Sequence, residues 1–436
     1  MNKIIILVIA LFFLNNCSFN ENSRIWKEKE KKLESQKKLE KVFAETNPVL
    51  SEFNPELKIE LIKIKLNNKV VENKNNYGFQ NYDGSLNKVA NYKFSKLENI
   101  DQLNFKPIFL KDGLIFFDKK GSIIRFNNMQ KVLWTNNYYS KAEKKLKPKL
   151  YFASDNENLF VFDDIAKFYS VNINSGKLNW IKNNIYPFNS EIKKLGNKIF
   201  VVDYKNILRS YNINNGSEYW NLKTEDSFTI SNSKYSLIII DNAIIFSNSI
   251  GDITAVDVET GLIIWQLPTQ SSNIANESYN FKISKLVSDG NSIFFSNNKN
   301  EFYWLEVKTG TINWINDINS NITPILNNNL IFTVSNEGYL FVIDKNKGNI
   351  IRVTDIYKNY KIKHRKNIKP IGFTIGKKNL YLTNSDGNMI VADLSLSNVN
   401  KIEKVSGNLI SEPFIFNQNL FVIRNGSIIK YNWVWS

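Results

Sequence analysis

From residue 107 onward the chain alternates short apolar runs with polar turns, and the runs come in groups of four. The clearest member of each group is a block rich in Ile, Val, Leu and Phe. These blocks are LIFF at 114–117, LFVF at 159–162, IFVV at 199–202, IIFS at 244–247, IFFS at 293–296, IFTV at 331–334, LYLT at 380–383 and LFVI at 420–423. A short apolar run bounded by turn residues predicts a buried strand. The blocks recur every 38 to 49 residues, the period expected of a four-stranded propeller blade.

Behind the blocks a ten-residue string repeats: VNINSGKLNW at 171–180, YNINNGSEYW at 211–220, VDVETGLIIW at 256–265, LEVKTGTINW at 305–314 and, more weakly, IDKNKGNIIR at 343–352. Each reads as a strand, a turn and a returning strand. Gly176, Gly216, Gly261, Gly310 and Gly348 would supply the positive φ of that turn. At 125–134 Gln130 replaces the glycine, and at 392–401 both signature residues are lost. Ahead of each block comes one more apolar run, as in PIFLKDG at 107–113, ITPILNNN at 322–329 and EPFIFNQN at 412–419. Eight such units with no helical period between them predict an all-β chain, an eight-bladed β-propeller of four-stranded antiparallel blades.

Trp134, Trp180, Trp220, Trp265 and Trp314 recur near the ends of these strings. One planar ligand cannot need five equivalent docking sites, so the indoles are expected to fill the gaps between adjacent blades. The eighth unit lacks a fourth strand of its own, and an N-terminal strand is expected to complete it, removing exposed sheet edges. The candidates are 57–66 and 87–96; the second is favoured because Tyr92 lies 15 residues before Pro107, much as Trp134 lies 14 before Pro148.

Residues 1–17, MNKIIILVIALFFLNNC, place an apolar run after Lys3 and the only cysteine of the chain directly behind it. The form is that of a signal peptide, too short to span a membrane. The cysteine resembles that of the bacterial lipobox, with Leu14 in place and Asn16 where the pattern has a small residue; the resemblance implies acylation of Cys17 and, with Ser18 next, an outer-membrane anchor. Residues 21–45, rich in Lys and Glu without Pro or Gly, predict a solvated helical tether. The expected organisation is a signal peptide at 1–16, a lipidated and partly helical tether at 17–56, and the propeller at 57–436.

Composition narrows the chemistry. One His, one Cys and three Met argue against zinc, haem, a disulfide framework or a His-based triad, and no cofactor is expected. The formal charge of +16 is spread rather than gathered into a stripe, so no nucleic-acid partner is expected.

The string AVDVETGLIIW at 255–265 resembles the repeat of the pyrroloquinoline-quinone (PQQ) type of propeller, Ala-x-Asp-x-x-x-Gly-Lys-x-x-Trp. With a lipoprotein signal and a bare eight-bladed body, the chain is similar to the BamB family of lipoproteins of the outer-membrane β-barrel assembly (BAM) machinery. The stretch 76–88, with Tyr77, Gln80 and Gly84, resembles the Trp-x-Gln-x-Gly-Gly segment before blade one in alphaproteobacterial members. The resemblance implies a non-enzymatic scaffold at the periplasmic face of the outer membrane. It would bind the POTRA domains of the barrel-inserting subunit and aid unfolded outer-membrane proteins. The partner surface is sought in the longest inter-blade loops, Thr224–Ser236 and Thr269–Phe281.

The enzyme alternative is a quinoprotein dehydrogenase. Such enzymes carry adjacent cysteines over the cofactor, and here the sole Cys lies in the signal region. Asp163 with Asp164, and Asp257 with Glu259, are the available carboxylate pairs; their positions at strand turns favour backbone capping over acid–base work. A membrane-spanning barrel, suggested by the aromatic stretch 428–435, conflicts with strands that are short and grouped in fours. His364 sits in a basic stretch, KIKHRKNIK at 361–369, expected to be a solvated loop between blades six and seven.

Overall fold

A computed structural model describes residues 51–59, 61, 76, 82–97, 105–225, 233–269, 281–395, 399–407 and 410–432. The signal peptide, Cys17 and the tether up to residue 50 lie outside them. The described residues form eight four-stranded sheets, each antiparallel throughout and each built from strands consecutive in sequence except the last. The chain is an eight-bladed β-propeller.

Blade 2 shows the plan. From the axis outward it holds Leu150–Ser154, Asn158–Asp163, Lys167–Asn172 and Leu178–Asn183. The second strand is buried almost throughout, whereas the outermost alternates between half-buried and exposed positions. That gradient explains the sequence pattern: middle strands are covered on both faces by neighbouring blades and need no polar alternation, whereas the outer edge meets water. At the turn after the second strand of blades 1 to 5 a carboxylate or amide caps the backbone. Asp118, Asp163, Asp203, Asn248 and Asn297 each accept two N–H groups from the turn that follows, the Asx geometry that favours these residue types.

The last sheet runs Asn87–Lys93, Ser427–Asn432, Asn419–Arg424, Phe414–Phe416. Its outermost strand comes from the N-terminal side, with Asn87 opposite Asn432 and Tyr92 opposite Ile428. The segment 57–66, only partly described, does not fill this role. Ile59 and Leu61 instead join the apolar cluster shared by blades 6 and 7, with Ile325, Phe332, Phe373 and Leu380.

Among the described residues two short helices interrupt the all-β pattern: Lys141–Lys145, opened by a capping box between Ser140 and Glu143, and Ile362–Arg365. The second corrects the reading of the basic stretch around His364 as a plain loop. Its cause is local: the N–H groups of His364 and Arg365 both find the Lys361 carbonyl, and Arg365 pairs with Asp355 at 2.8 Å.

Candidate functional site

The recurring glycines and tryptophans meet across blade boundaries. In each outer hairpin the glycine N–H closes on the carbonyl four residues back, at 2.8 Å for Gly176 and Gly216. All five glycines have φ between 67° and 73°, the left-handed region where a side chain is costly. The indole of one blade lies over the glycine of the next: Trp134 on Gly176, Trp180 on Gly216, Trp220 on Gly261, Trp265 on Gly310 and Trp314 on Gly348. Each indole N–H donates to a carbonyl of that next blade, namely Ile173, Ile213, Val258, Val307 and Lys345 at 2.8–3.2 Å. Five seams therefore carry a latch.

Three seams lack it. Between blades 8 and 1 the backbone N–H of Asn91 donates to the Gln130 side chain at 2.8 Å. Between blades 7 and 8, Tyr82 packs edge-on to Tyr381 at 5.1 Å, and Asp83 accepts the N–H groups of Lys377, Lys378 and Asn379. Between blades 6 and 7, Arg352 stands at the tryptophan position. All three seams are completed by residues from the N-terminal side of blade 1.

The two candidate loops are described only at their roots, since 226–232 and 270–280 lie outside the described residues. The roots are firm. Thr224 Oγ1 donates to the Asn206 carbonyl, Thr269 Oγ1 donates to the Gly251 carbonyl, and Phe281 is buried against Gly251. Between the two loops lies the outer strand of blade 4, Ile263–Leu267. Here Leu262, Ile263 and Ile264 are 68%, 47% and 51% exposed, and Tyr219 of blade 3 and Ile312 and Ile315 of blade 5 are exposed on their own outer strands. On the other blades exposed apolar residues occur singly or, at Val132 and Leu133, as a pair. Three in succession leave the hairpin end of this strand apolar and open to solvent. Positive charge gathers elsewhere, in a cleft of about 540 Å³ lined by Lys93, Lys96 and Arg424.

Near the axis a charged network joins blades that are far apart in sequence. Lys285 Nζ lies 2.7 Å from Glu412 and 3.8 Å from Glu191, and Lys193 Nζ lies 3.8 Å from Glu191. Asn76 donates to the Glu191 carboxylate at 2.9 Å and to the Leu286 carbonyl at 3.1 Å. Burial alone would raise the Glu191 carboxyl; the lysines and the Asn76 amide outweigh it and hold it at about 2. Lys234 stands over the faces of Tyr151 and Phe105, 4.5 and 5.1 Å from the ring centroids. Desolvation lowers its ammonium to about 8. No repeat period announces this network, because its members come from blades 3, 4, 5 and 8 and Asn76 from none.

The carboxylate pairs do not converge into a reactive centre. Asp163 serves its turn and accepts the Tyr139 hydroxyl at 2.5 Å; burial lifts its carboxyl to about 7. Asp164 caps Lys149 N–H. Asp257 holds the hairpin through Glu259 and Thr260 N–H, and the Thr260 hydrogen bonds draw its carboxyl down, while Glu259 reaches across to Lys198 at 2.5 Å. The His364 imidazole is half exposed, 3.6 Å from Asp386. Among the described residues no cluster of three or more His, Cys, Asp or Glu could hold a metal ion.

The family described as outer membrane protein assembly factor BamB matches residues 119–354, more than half of the chain. No curated protein sequence is significantly similar to this one. Among solved structures, BamB from Moraxella catarrhalis superposes with a TM-score of 0.64 at 14% identity, over 80% of this chain and 100% of that one. The quinohemoprotein alcohol dehydrogenase of Comamonas testosteroni gives 0.60 at 9% identity, over 81% of this chain and 78% of the enzyme. The computationally designed protein Ika8 gives 0.58 at 11%, over 78% and 99%. At such identities the structural likenesses speak for the fold alone.

Proposed function

Because the chain belongs to the family of outer membrane protein assembly factor BamB, we propose that it is a non-enzymatic scaffold lipoprotein of the outer-membrane β-barrel assembly machinery. In this reading residues 1–16 are a signal peptide, Cys17 carries the lipid anchor, and residues 17–56 tether the propeller at the periplasmic face of the outer membrane. The propeller binds the POTRA domains of the barrel-inserting subunit and aids insertion of unfolded outer-membrane proteins.

The observation that carries the reading, beyond family membership, is the run of exposed apolar residues Leu262–Ile264 at the hairpin end of the outer strand of blade 4. A contiguous exposed apolar patch marks a protein partner more readily than a solvent face. A gentle-detergent pull-down with the full chain tests it. We expect the barrel-inserting subunit to co-purify with wild type and to be depleted at least about tenfold with Ile264→Asp, the loss of one desolvated apolar contact. Recovery of no barrel-inserting subunit, or equal recovery with the variant, counts against the reading. Labelling with a palmitate analogue should mark wild type and spare Cys17→Ser. The enzyme alternative requires dye reduction when quinone and Ca²⁺ are added, and we expect none.

A further inference from the structure

At the seam between blades 6 and 7 the chain uses its own N-terminal side as a fastening. Phe53 pairs with Val353 on the outermost strand of blade 6, Ile350–Asp355. Phe53 N–H donates to the Val353 carbonyl at 3.1 Å and Val353 N–H to the Phe53 carbonyl at 2.9 Å. Glu52 accepts the Asp355 N–H, Asn54 donates to the Ile351 carbonyl, and Ile59 and Leu61 enter the apolar cluster between the two blades. Phe53 itself is half exposed, so the contact rests on few buried atoms.

Arg352 is the weak point beneath it. It occupies the position that Trp314 holds in blade 5: each faces the residue just before the bulge of the preceding strand, Val342 and Trp304. The guanidinium is fully buried. Its Nη1 donates to the Leu57 carbonyl at 2.8 Å, whereas Nε and Nη2 have no partner, and no carboxylate among the described residues lies within ion-pair distance. Burial lowers it to about 10, still charged at neutral pH. A buried charge with two unbonded N–H groups and no ion pair, only the more distant Asp393 opposing it, favours any rearrangement that lets water in.

We infer that residues 51–59 with Leu61 form a releasable strap: they close the seam between blades 6 and 7 in place of a tryptophan latch and detach without the blades unfolding. Detachment hydrates Arg352 and frees the outer edge of blade 6. Any pull on the chain before Glu52 is borne first by this seam, whatever the partner of the propeller, so the inference stands apart from the proposed function.

The Val353 amide is a direct reporter, because strand alternation turns it outward to the strap while the Thr354 amide faces the neighbouring strand. Hydrogen exchange of the full chain, read at single amides by mass spectrometry, should show Val353 exchanging at least about tenfold faster than Thr354. Phe53→Pro removes one strap donor and should speed Val353 by about tenfold more while leaving Thr354 unchanged. Arg352→Leu removes the buried, unpaired guanidinium and should slow Val353 by about tenfold. A common rate for Val353 and Thr354 in wild type, or a Val353 rate indifferent to Arg352→Leu, overturns the inference.

Discussion

The indole of Trp180 lies so close over Gly216 of the following blade that a β-carbon on that glycine would fall 2.7 Å from the ring. Trp and Gly are thus one device written in two blades. The glycine satisfies its own hairpin and, by lacking a side chain, makes the seat for its neighbour's ring.

Gly216→Ala should therefore be destabilising on two counts, the left-handed φ of 68° and the clash with Trp180. Gly196 separates them: it has φ 57°, and a β-carbon there would meet nothing within 4 Å. We expect Gly196→Ala to cost about 1 kcal/mol and Gly216→Ala about 2–4 kcal/mol in urea unfolding. Equal costs would show that the seat contributes nothing.

Deletion of residues 1–100 removes the outer strand of blade 8 and every N-terminal contact at the three unlatched seams. The Ser427–Asn432 strand then faces water with open hydrogen-bonding groups. Loss of a cooperative unfolding transition is expected by calorimetry, and a sharp transition in the truncated chain would contradict the closure mechanism.

Asp163 sets a pH dependence. Its folded carboxyl sits at about 7, raised by burial, against about 3.9 in an unfolded chain. The folded state holds a proton that the unfolded state has released, so this group's contribution is fully present below about pH 4 and is lost as pH rises to about 7. The loss is on the order of 4 kcal/mol at most. Asp163→Asn, which copies Asn248 and Asn297 at the same turn of blades 4 and 5, should flatten the stability profile relative to wild type across that window. Parallel profiles would show that Asp163 does not titrate there.

Glu191 works with the opposite sign. Held at about 2, it stabilises above about pH 4.3, and that stability is lost as pH falls toward 2. At neutral pH Glu191→Gln leaves Lys193 and Lys285 less compensated, and a loss of about 3–5 kcal/mol is expected. Adding Lys193→Met should recover part of it in a double-mutant cycle. A cycle with no coupling would mean that the axial charges act independently.

What the chain displays in one dimension is whatever repeats. Phe160, Phe200 and Phe294 mark middle strands, and Gly216 with Trp220 marks a hairpin, because every blade meets the same neighbours and must solve the same packing problem. The N-terminal closing strand was legible for the same reason, as the one missing element of a period. The axial network was not. Asn76, Glu191, Lys285 and Glu412 each occur once, and nothing in their local spacing tells that they share a site. Arg352 was visible as a departure from the tryptophan pattern, yet only the fold reveals that Leu57 answers it. The helix Ile362–Arg365 escaped notice because a single turn is too short to show a period.

The pairing of Asn87 with Asn432 also imposes an order in time. The first strand of the propeller to leave the ribosome is the last to find its partner, since that partner lies at the far end of the same fold. At about 5–20 residues per second, Asn87–Lys93 waits on the order of half a minute, an apolar-faced strand with nothing to bind. Throughout that wait the nascent protein is an open arc, and its survival depends on how well that one strand is kept from pairing elsewhere.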